Sequence, residues 1–370
     1  MTAYKLLKQD GQARRGQLNT AHGIIETPFF MPAATKGTGK YITTDDYKEI
    51  GLPALIANAL LLSLRPGADL VMKAGGLHKF INYPGIMFTD CGGFQMSRGI
   101  FLNKTKNGLH FRCPFDQHKF IITPKKIMEI ELALNSDVAM MLDDMSPYGA
   151  SFEEAKLAME NTHRWGSESL AAHKELKEKL NSKQLLFGIV QGNFYPQLRE
   201  ESAKYINSLD FDGIAVGGVA IGEPKDKMYE AVEAALPFIT ENKVRYVMGV
   251  GSPLEIIELV ARGIDCFDSV YPTKMARHGH IFTWQGQLNI RQSRHIEDFS
   301  PLDEKCNCST CKDYTKAYLY HLIRIDEPVF YRMVSIHNLF FINTLMQKCR
   351  KSIEEGTFEK LREEIRSIYG

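Results

Sequence analysis

The chain has 370 residues, is 44% hydrophobic and 24% charged, and carries a formal net charge of +1. That balance excludes disorder as the main state and a general polybasic coat, while leaving room for a local basic face. The length fits two or three domains, or one barrel of about 250 residues carrying an insertion.

The N-terminal stretch MTAYKLLKQDGQARRGQLNT is polar and has no apolar core of signal-peptide length. No window approaches about 18 consecutive apolar residues, so no membrane-spanning helix is expected. Of seven cysteines, Cys91, Cys113, Cys266 and Cys349 are scattered, and Cys306, Cys308 and Cys311 are clustered. That is not a secreted disulfide framework. The scattered four read as buried, reduced, small hydrophobes, and the cytoplasm is the expected compartment.

Short apolar runs recur along the chain at Gly23–Met31, Ala54–Asn58, Ile86–Asp90, Val138–Asp143, Leu185–Gln191, Ile214–Gly217, Tyr246–Gly249 and Cys266–Asp268. Several are rich in Val, Ile or Phe, as buried parallel strands are. Helical signals lie between most of them. Thr123-Pro124 opens a helix over Pro124–Leu134, with Pro at its first position. Ser151-Phe-Glu-Glu154 is a capping-box pattern ahead of a charged helix that reaches about Asn181. Ser252-Pro253 opens Leu254–Arg262, which stops at Gly263.

Eight strands alternating with helices predict an α/β fold of the (β/α)8 TIM-barrel class. An open doubly wound sheet would gather its polar strand ends at one switch point. Here they occur along the whole length, so closure is favoured. In a barrel, Asp90, Asp143, Gln191, Gly217, Gly249 and Asp268 surround one pocket.

The pattern changes after the last strand. Runs at His280–Trp284 and Gln287–Ile290, the cysteine cluster and an aromatic-rich stretch exceed one barrel loop. The expected organisation is a barrel core over 1–270, an inserted zinc-binding subdomain over 271–340, and a closing helix over 341–370. The segment Asn343–Tyr369 is amphipathic and charged, as a docking helix is.

Cys306-Asn-Cys-Ser-Thr-Cys311 places three thiols within one turn, and His337 follows. Zinc takes four soft or borderline ligands in a tetrahedron, and Cys3His is a common structural set. His295 and His321 are further candidates for the fourth position. A closed set leaves no place for water, so the ion is structural.

Asp90 lies in Phe88-Thr-Asp-Cys-Gly-Gly-Phe-Gln95, where two glycines let backbone approach a ligand. Asp268 lies in Gly263-Ile-Asp-Cys-Phe-Asp268 at another strand end. Two carboxylates at one barrel mouth suit chemistry at a glycosidic carbon: one attacks C1′ and the other manages protons. Asp265 is turned away from that pocket by strand alternation.

These residues resemble the tRNA-guanine transglycosylases, also called queuine tRNA-ribosyltransferases. The likeness covers essentially the whole chain. It runs through Glu26-Thr-Pro-Phe-Phe-Met-Pro32, Leu64-Arg-Pro-Gly67, Thr89-Asp-Cys-Gly-Gly-Phe-Gln95, Leu142-Asp143 with Ser146-Pro-Tyr148, and Phe187-Gly-Ile-Val-Gln-Gly192. It continues through Ala215-Val-Gly-Gly218, Gly222-Glu-Pro224, Met248-Gly-Val-Gly251, Phe267-Asp-Ser-Val-Tyr-Pro-Thr273, the cysteine cluster and Ile336-His-Asn338.

The resemblance implies a cytoplasmic, zinc-containing barrel enzyme of bacterial type. It would exchange guanine at the wobble position of a G-U-N anticodon for a 7-deazaguanine, in queuosine modification of tRNA. It makes Asp268 the nucleophile of a covalent aspartyl-ribose intermediate and Asp90 the general acid/base. Asp143, Gln191 and the backbone at Gly218 and Val219 read the purine edge, with Cys91 and Glu223 bordering the pocket. Phe94 and Met248 sandwich the base, and Lys274 and Arg277 meet the anticodon. Cys306, Cys308, Cys311 and His337 bind one structural Zn2+ per subunit. A homodimer acting on tRNA, without a membrane, is the implied assembly.

Several positions depart from the family pattern. Cys91 stands for a usual Ser, Asn58-Ala-Leu-Leu-Leu62 loses a His, Asp143-Asp-Met145 ends in Met for Cys, and Ala33-Ala34-Thr35 replaces a Gly-Thr. The three aspartates are untouched, so activity is expected. Ile221 and Met145 leave less room than smaller residues and favour the 7-aminomethyl base, with Glu223 and the Val219–Ala220 peptide recognising its amine. Tyr271-Pro-Thr-Lys274 with Ala276-Arg-His-Gly279 resembles queuine-using members instead. The alternatives are a non-catalytic RNA-binding or partner-subunit paralogue, and a relative that inserts deazaguanines into DNA.

Overall fold

A computed structural model describes residues 3–92 and 99–370. Phe94 lies outside the described residues. Eight parallel strands form the centre: β1 (Phe29–Pro32), β2 (Ala54–Asn58), β3 (Ile86–Asp90), β4 (Val138–Met140), β5 (Leu185–Val190), β6 (Gly213–Val216), β7 (Val244–Val247) and β8 (Cys266–Ser269). Their order is β1-β8-β7-β6-β5-β4-β3-β2. A parallel bridge between Ala33 and Ile56 closes the ring, with the Ala34 amide donating to the Ile56 carbonyl at 2.7 Å. The chain is a (β/α)8 barrel.

The strands form because both their faces are covered. Every residue of β2 and β5 is buried. Inside the ring, Phe29, Phe88, Phe187 and Tyr246 come from the odd-numbered strands. Phe88 touches the other three at centroid distances of 6.0, 5.7 and 6.4 Å. Side chains from alternate strands filling one layer is how such barrels exclude water. Gly213 on β6 makes room for that layer, since a Cβ there would fall 2.4 Å from the Phe187 ring.

The expected helices form, with boundaries set by their caps. Thr123 caps Pro124–Leu134, and Ser252 caps Pro253–Ala261. Ser151 and Glu154 close a capping box on Phe152–Leu180, which ends at Asn181 in the left-handed region. Such a cap contributes about 1 kcal/mol.

Two expectations need correction. The run Gly23–Met31 is two elements. Gly23–Thr27 pairs antiparallel with Ala13–Thr20, which pairs with Tyr4–Asp10, while Phe29–Pro32 enters the barrel. Pro28 lies at the break and has no N–H for either ladder. The segment Asn343–Tyr369 is not one helix either. Pro328–Glu355 ends at Gly356, with φ 69°, and Phe358–Tyr369 begins a separate helix.

The N-terminal sheet packs where β7 and β8 begin. Asp265 is fully buried there, pairing with Arg14 at 3.3 Å and accepting from Tyr4 Oη at 3.0 Å and the Arg245 amide at 2.8 Å. A second antiparallel sheet, Phe101–Thr105, Gly108–Arg112 and Lys119–Ile122, follows β3. After β8 come a short helix (Tyr271–Arg277), a hairpin (His280–Thr283 with Gly286–Asn289) and a small second core around Ile281, Leu319 and Phe330. The Pro328–Glu355 helix joins this core to the barrel. Its Phe330 and Val334 pack in the small core, and its Leu345 and Met346 in the large one. Among the described residues, no helix is long and apolar enough to cross a membrane.

Candidate active site and metal centre

A cleft of about 460 Å³ opens where the strands end. Asp90, Cys91, Asp143, Gln191, Gly218, Val219, Met248, Asp268 and Lys274 all line it. Barrel closure brings these together from six strand ends.

Asp90 is the last residue of β3 and stands opposite Asn58, the last residue of β2. Asn58 Nδ2 and the Gly92 amide both donate to Asp90 Oδ1, at 2.9 and 2.7 Å. Gly92 has φ 78°, and a Cβ there would sit 2.6 Å from Asn58 Oδ1. Burial, reinforced by the Asp268 charge, pushes the Asp90 carboxyl up to about 8. Near neutral pH it therefore holds its proton.

Asp268 on β8 is also raised by burial, but two donors oppose the shift. Tyr246 Oη on β7 donates to Oδ1 at 2.5 Å, and the Gly249 amide donates to the same oxygen at 3.0 Å. Both stabilise the ionised form. The pair is unequal, since the Asp268 charge is what reinforces the proton on Asp90.

Asp143 lies beyond β4. Gln191 Nε2 donates to its Oδ2 at 2.7 Å, and Cys91 Sγ lies 3.6 Å from its Oδ1. Burial pushes this carboxyl up to about 6, against those two hydrogen bonds. Gln191 fits because Gly217 and Gly218 lack side chains: a Cβ at Gly218 would meet Gln191 Oε1 at 2.4 Å. Arg199, fully buried on the helix Pro196–Ser208, holds this glycine pair from behind. It donates to the carbonyls of Gly217 at 2.7 Å, Gly218 at 3.2 Å, Val190 at 3.1 Å and Asn193 at 2.6 Å.

The turn beyond carries Ala220 at φ 56°. Glu223 accepts from the amides of Ala220 and Ile221, at 2.6 and 2.8 Å, and lies outside the cleft lining. Lys274 is exposed at the rim, and Arg277 is half-buried one turn further along the same short helix. Arg277 does not reach the lining. Two contributors escaped sequence reading: Arg199 carries no motif signal, and Tyr246 looks like any strand aromatic. Asn58 shows in the sequence only as the start of an altered family stretch, and its bond to Asp90 appears once β2 and β3 are in register.

A cleft with two unequal carboxyls and an Asp–Gln pair beside bare glycine backbone can bind a flat heterocycle by its polar edge. It can also exchange groups at a carbon held between the two acids.

The cysteine cluster lies in the small second core. Cys306, Cys308 and Cys311 place their sulfurs 3.7, 3.5 and 3.2 Å from His337 Nδ1, and all four residues are buried. His337 Nε2 lies 2.8 Å from the Phe282 carbonyl. Donation to that carbonyl leaves the Nδ1 lone pair facing the sulfurs, as in bound histidines. The set could hold a metal ion and suits a tetrahedral one. His295 and His321 are not part of it.

The family model described as queuine tRNA-ribosyltransferase matches residues 9–370. The chain belongs to the queuine tRNA-ribosyltransferase family. Curated proteins of that name are similar along nearly their whole length. One from Thermoanaerobacter sp. (strain X514) is 44% identical over 370 residues, covering 99% of this chain and 97% of that protein. One from Desulforamulus reducens is 45% identical over 359 residues, covering 97% and 95%. One from Shewanella sp. (strain ANA-3) is 45% identical over 357 residues, covering 96% and 94%. Membership in the queuine tRNA-ribosyltransferase family makes this chain a pentosyltransferase.

Proposed function

We propose that this enzyme replaces guanine at the wobble position of G-U-N anticodons with a 7-deazaguanine, by two displacements at ribose C1′. The observation that carries this reading is the divided carboxyl pair. Asp268 attacks C1′ as the C1′–N9 bond breaks, and Asp90 gives its proton to the departing guanine. Asp90, now ionised, takes the N9 proton of the incoming base. That base displaces Asp268 and restores the β configuration.

Asp143 accepts from the amidine edge of the purine, and Gln191 and the Gly218–Val219 backbone complete the reading. Met248 packs on the base, with Phe94 as its proposed partner. Lys274 and Arg277 meet the anticodon phosphates. An anticodon nucleotide is already partly splayed, which lowers the cost of extracting it. Met145 and Ile221 both line the cleft, which favours the 7-aminomethyl base over queuine. Glu223 holds the turn that would face its substituent.

The Cys306, Cys308, Cys311 and His337 set is read as a zinc site. Zinc there would supply a cross-link for the small core and no catalytic step. Assembly as a homodimer rests on the family resemblance, and action in the cytoplasm on that resemblance together with the cysteine usage.

The deciding experiment is incorporation of labelled guanine into tRNA with a G-U-N anticodon. Exchange by wild type, lost in Asp268→Ala and Asp90→Ala, is the expected result. Binding of tRNA without exchange would instead indicate a non-catalytic paralogue, and exchange into single-stranded DNA a DNA-modifying relative. Competition between the two 7-deazaguanines fixes the base.

A further inference from the structure

Among the described residues, three clusters bring metal-ligating atoms together. One is the Cys3His set. A second, His22, His78 and Asp137, is satisfied internally. Asp137 Oδ1 takes the His22 amide and Nδ1 at 3.0 and 2.8 Å, and Oδ2 takes His78 Nε2 and the Met87 amide, each at 2.9 Å. Its two imidazoles stack at 3.6 Å, so their lone pairs do not converge on one point.

The third is different. Cys113, Asp116 and His118 lie in the six-residue link between the strands Gly108–Arg112 and Lys119–Ile122. The thiol, a carboxylate oxygen and an imidazole nitrogen all lie within 4.8 Å of one another. Two backbone hydrogen bonds shape the link: the Cys113 amide to the His118 carbonyl at 2.9 Å, and the Gln117 amide to the Cys113 carbonyl at 3.0 Å. Phe115 is pinned under the Arg65 guanidinium, 4.0 Å from its ring centroid. The cysteine is buried, while Asp116 and His118 are exposed, so an ion can arrive from solvent.

We propose that Cys113, Asp116 and His118 form a second metal site, for a borderline divalent cation such as Zn2+, separate from the Cys3His cluster. The donor set selects the cation class. A thiolate and an imidazole favour zinc-like ions over Mg2+ or Ca2+, which prefer oxygen. On binding, the Cys113 S–H bond breaks and its proton goes to solvent as a sulfur–metal bond forms. His118 Nδ1 now points at Asp116 Oδ1, 2.6 Å away. It turns to the metal as its lone-pair tautomer, with the proton on Nε2. Asp116 exchanges its role as acceptor for that of ligand. Three protein ligands leave a fourth position for water.

The test is a Co2+ titration of the zinc-loaded full-length protein under reducing conditions. A thiolate-to-cobalt absorption band is expected to saturate at one equivalent, while metal analysis shows the original zinc retained. Cys113→Ser removes the band. His118→Gln, at an exposed position, weakens binding by at least the roughly tenfold that loss of an outer-shell partner costs. Matching thermal melts verify that both variants are folded. No band in wild type, or the same band in Cys113→Ser, overturns the assignment.

Discussion

Tyr246 and Asp268 meet across neighbouring strands, the phenol donating to Asp268 Oδ1 at 2.5 Å. The Gly249 amide donates to the same oxygen. Both donors converge on Oδ1, which orients the carboxylate and leaves Oδ2 as the oxygen for the proposed attack on C1′. Burial and the facing carboxylate push the Tyr246 phenol well above its ordinary value, so it stays a donor.

Tyr246→Phe removes a hydrogen bond to a charged group, a contribution of about 1.5–3 kcal/mol. The expected loss in kcat is about tenfold to a hundredfold. The KM for the base stays near wild type, because the phenol does not line the cleft. With one donor gone, Asp268 ionises at higher pH, so the acid limb of the pH–rate profile moves upward. An unchanged kcat with a raised KM would refute this role.

Asp90 sets the alkaline side of the same profile. Its carboxyl pKa is raised from 3.8 to about 8, so the acid form that the proposed guanine departure needs persists to there. Exchange should fall as pH rises through about 8. The stability sign follows. Between 3.8 and about 8 the folded state binds more protons than the unfolded one, so this residue's contribution falls as pH rises. Asp90→Asn escapes that penalty. It should be inactive yet melt at least about 2 °C higher than wild type at pH 8, with a smaller gain at pH 5.

Gly218→Ala tests the purine-reading edge. The new Cβ would meet Gln191 Oε1 at 2.4 Å, and φ 64° is strained for alanine. Gln191 must shift, breaking its bond to Asp143. A rise of at least about tenfold in KM for guanine is expected, as a buried polar group loses its partner. Because Gly218→Ala acts through Gln191, adding Gln191→Ala should cost little more. Full additivity of the two would show that they act separately.

Most of the barrel was legible in local sequence. Seven apolar runs fall on β2 to β8 within a few residues, and Ser151, Thr123 and Ser252 cap the helices their patterns announce. Asp90, Asp143, Gln191 and Asp268 meet because parallel closure puts every strand end on one face. What stayed hidden depends on distant pairing. Arg199 matters through carbonyls that come near only in the folded chain. The sheet Phe101–Thr105, Gly108–Arg112 and Lys119–Ile122 has a first strand that is mostly exposed, so burial wrote no alternation into it. Gly356 carried a stop signal that the amphipathic pattern on both sides of it obscured.

Metal removal tests how the small core supports the cleft rim. His337 and Asn338 are neighbours on the Pro328–Glu355 helix. His337 faces the three sulfurs. Asn338 Nδ2 donates to the carbonyls of Pro272 at 3.0 Å and His280 at 3.1 Å, and its Oδ1 accepts from the Phe282 amide at 3.0 Å. The segment it holds includes Lys274 and Arg277. A structural zinc contributes about 10–16 kcal/mol of apparent binding energy, so stripping the proposed ion should release this segment while the barrel stays folded. The expected result on chelation is a far larger rise in KM for tRNA than for guanine, with most far-UV helical signal retained. Cys308→Ser should reproduce it without chelator. An equal rise in both constants would mean that the cluster supports the whole barrel rather than the rim proposed to meet RNA.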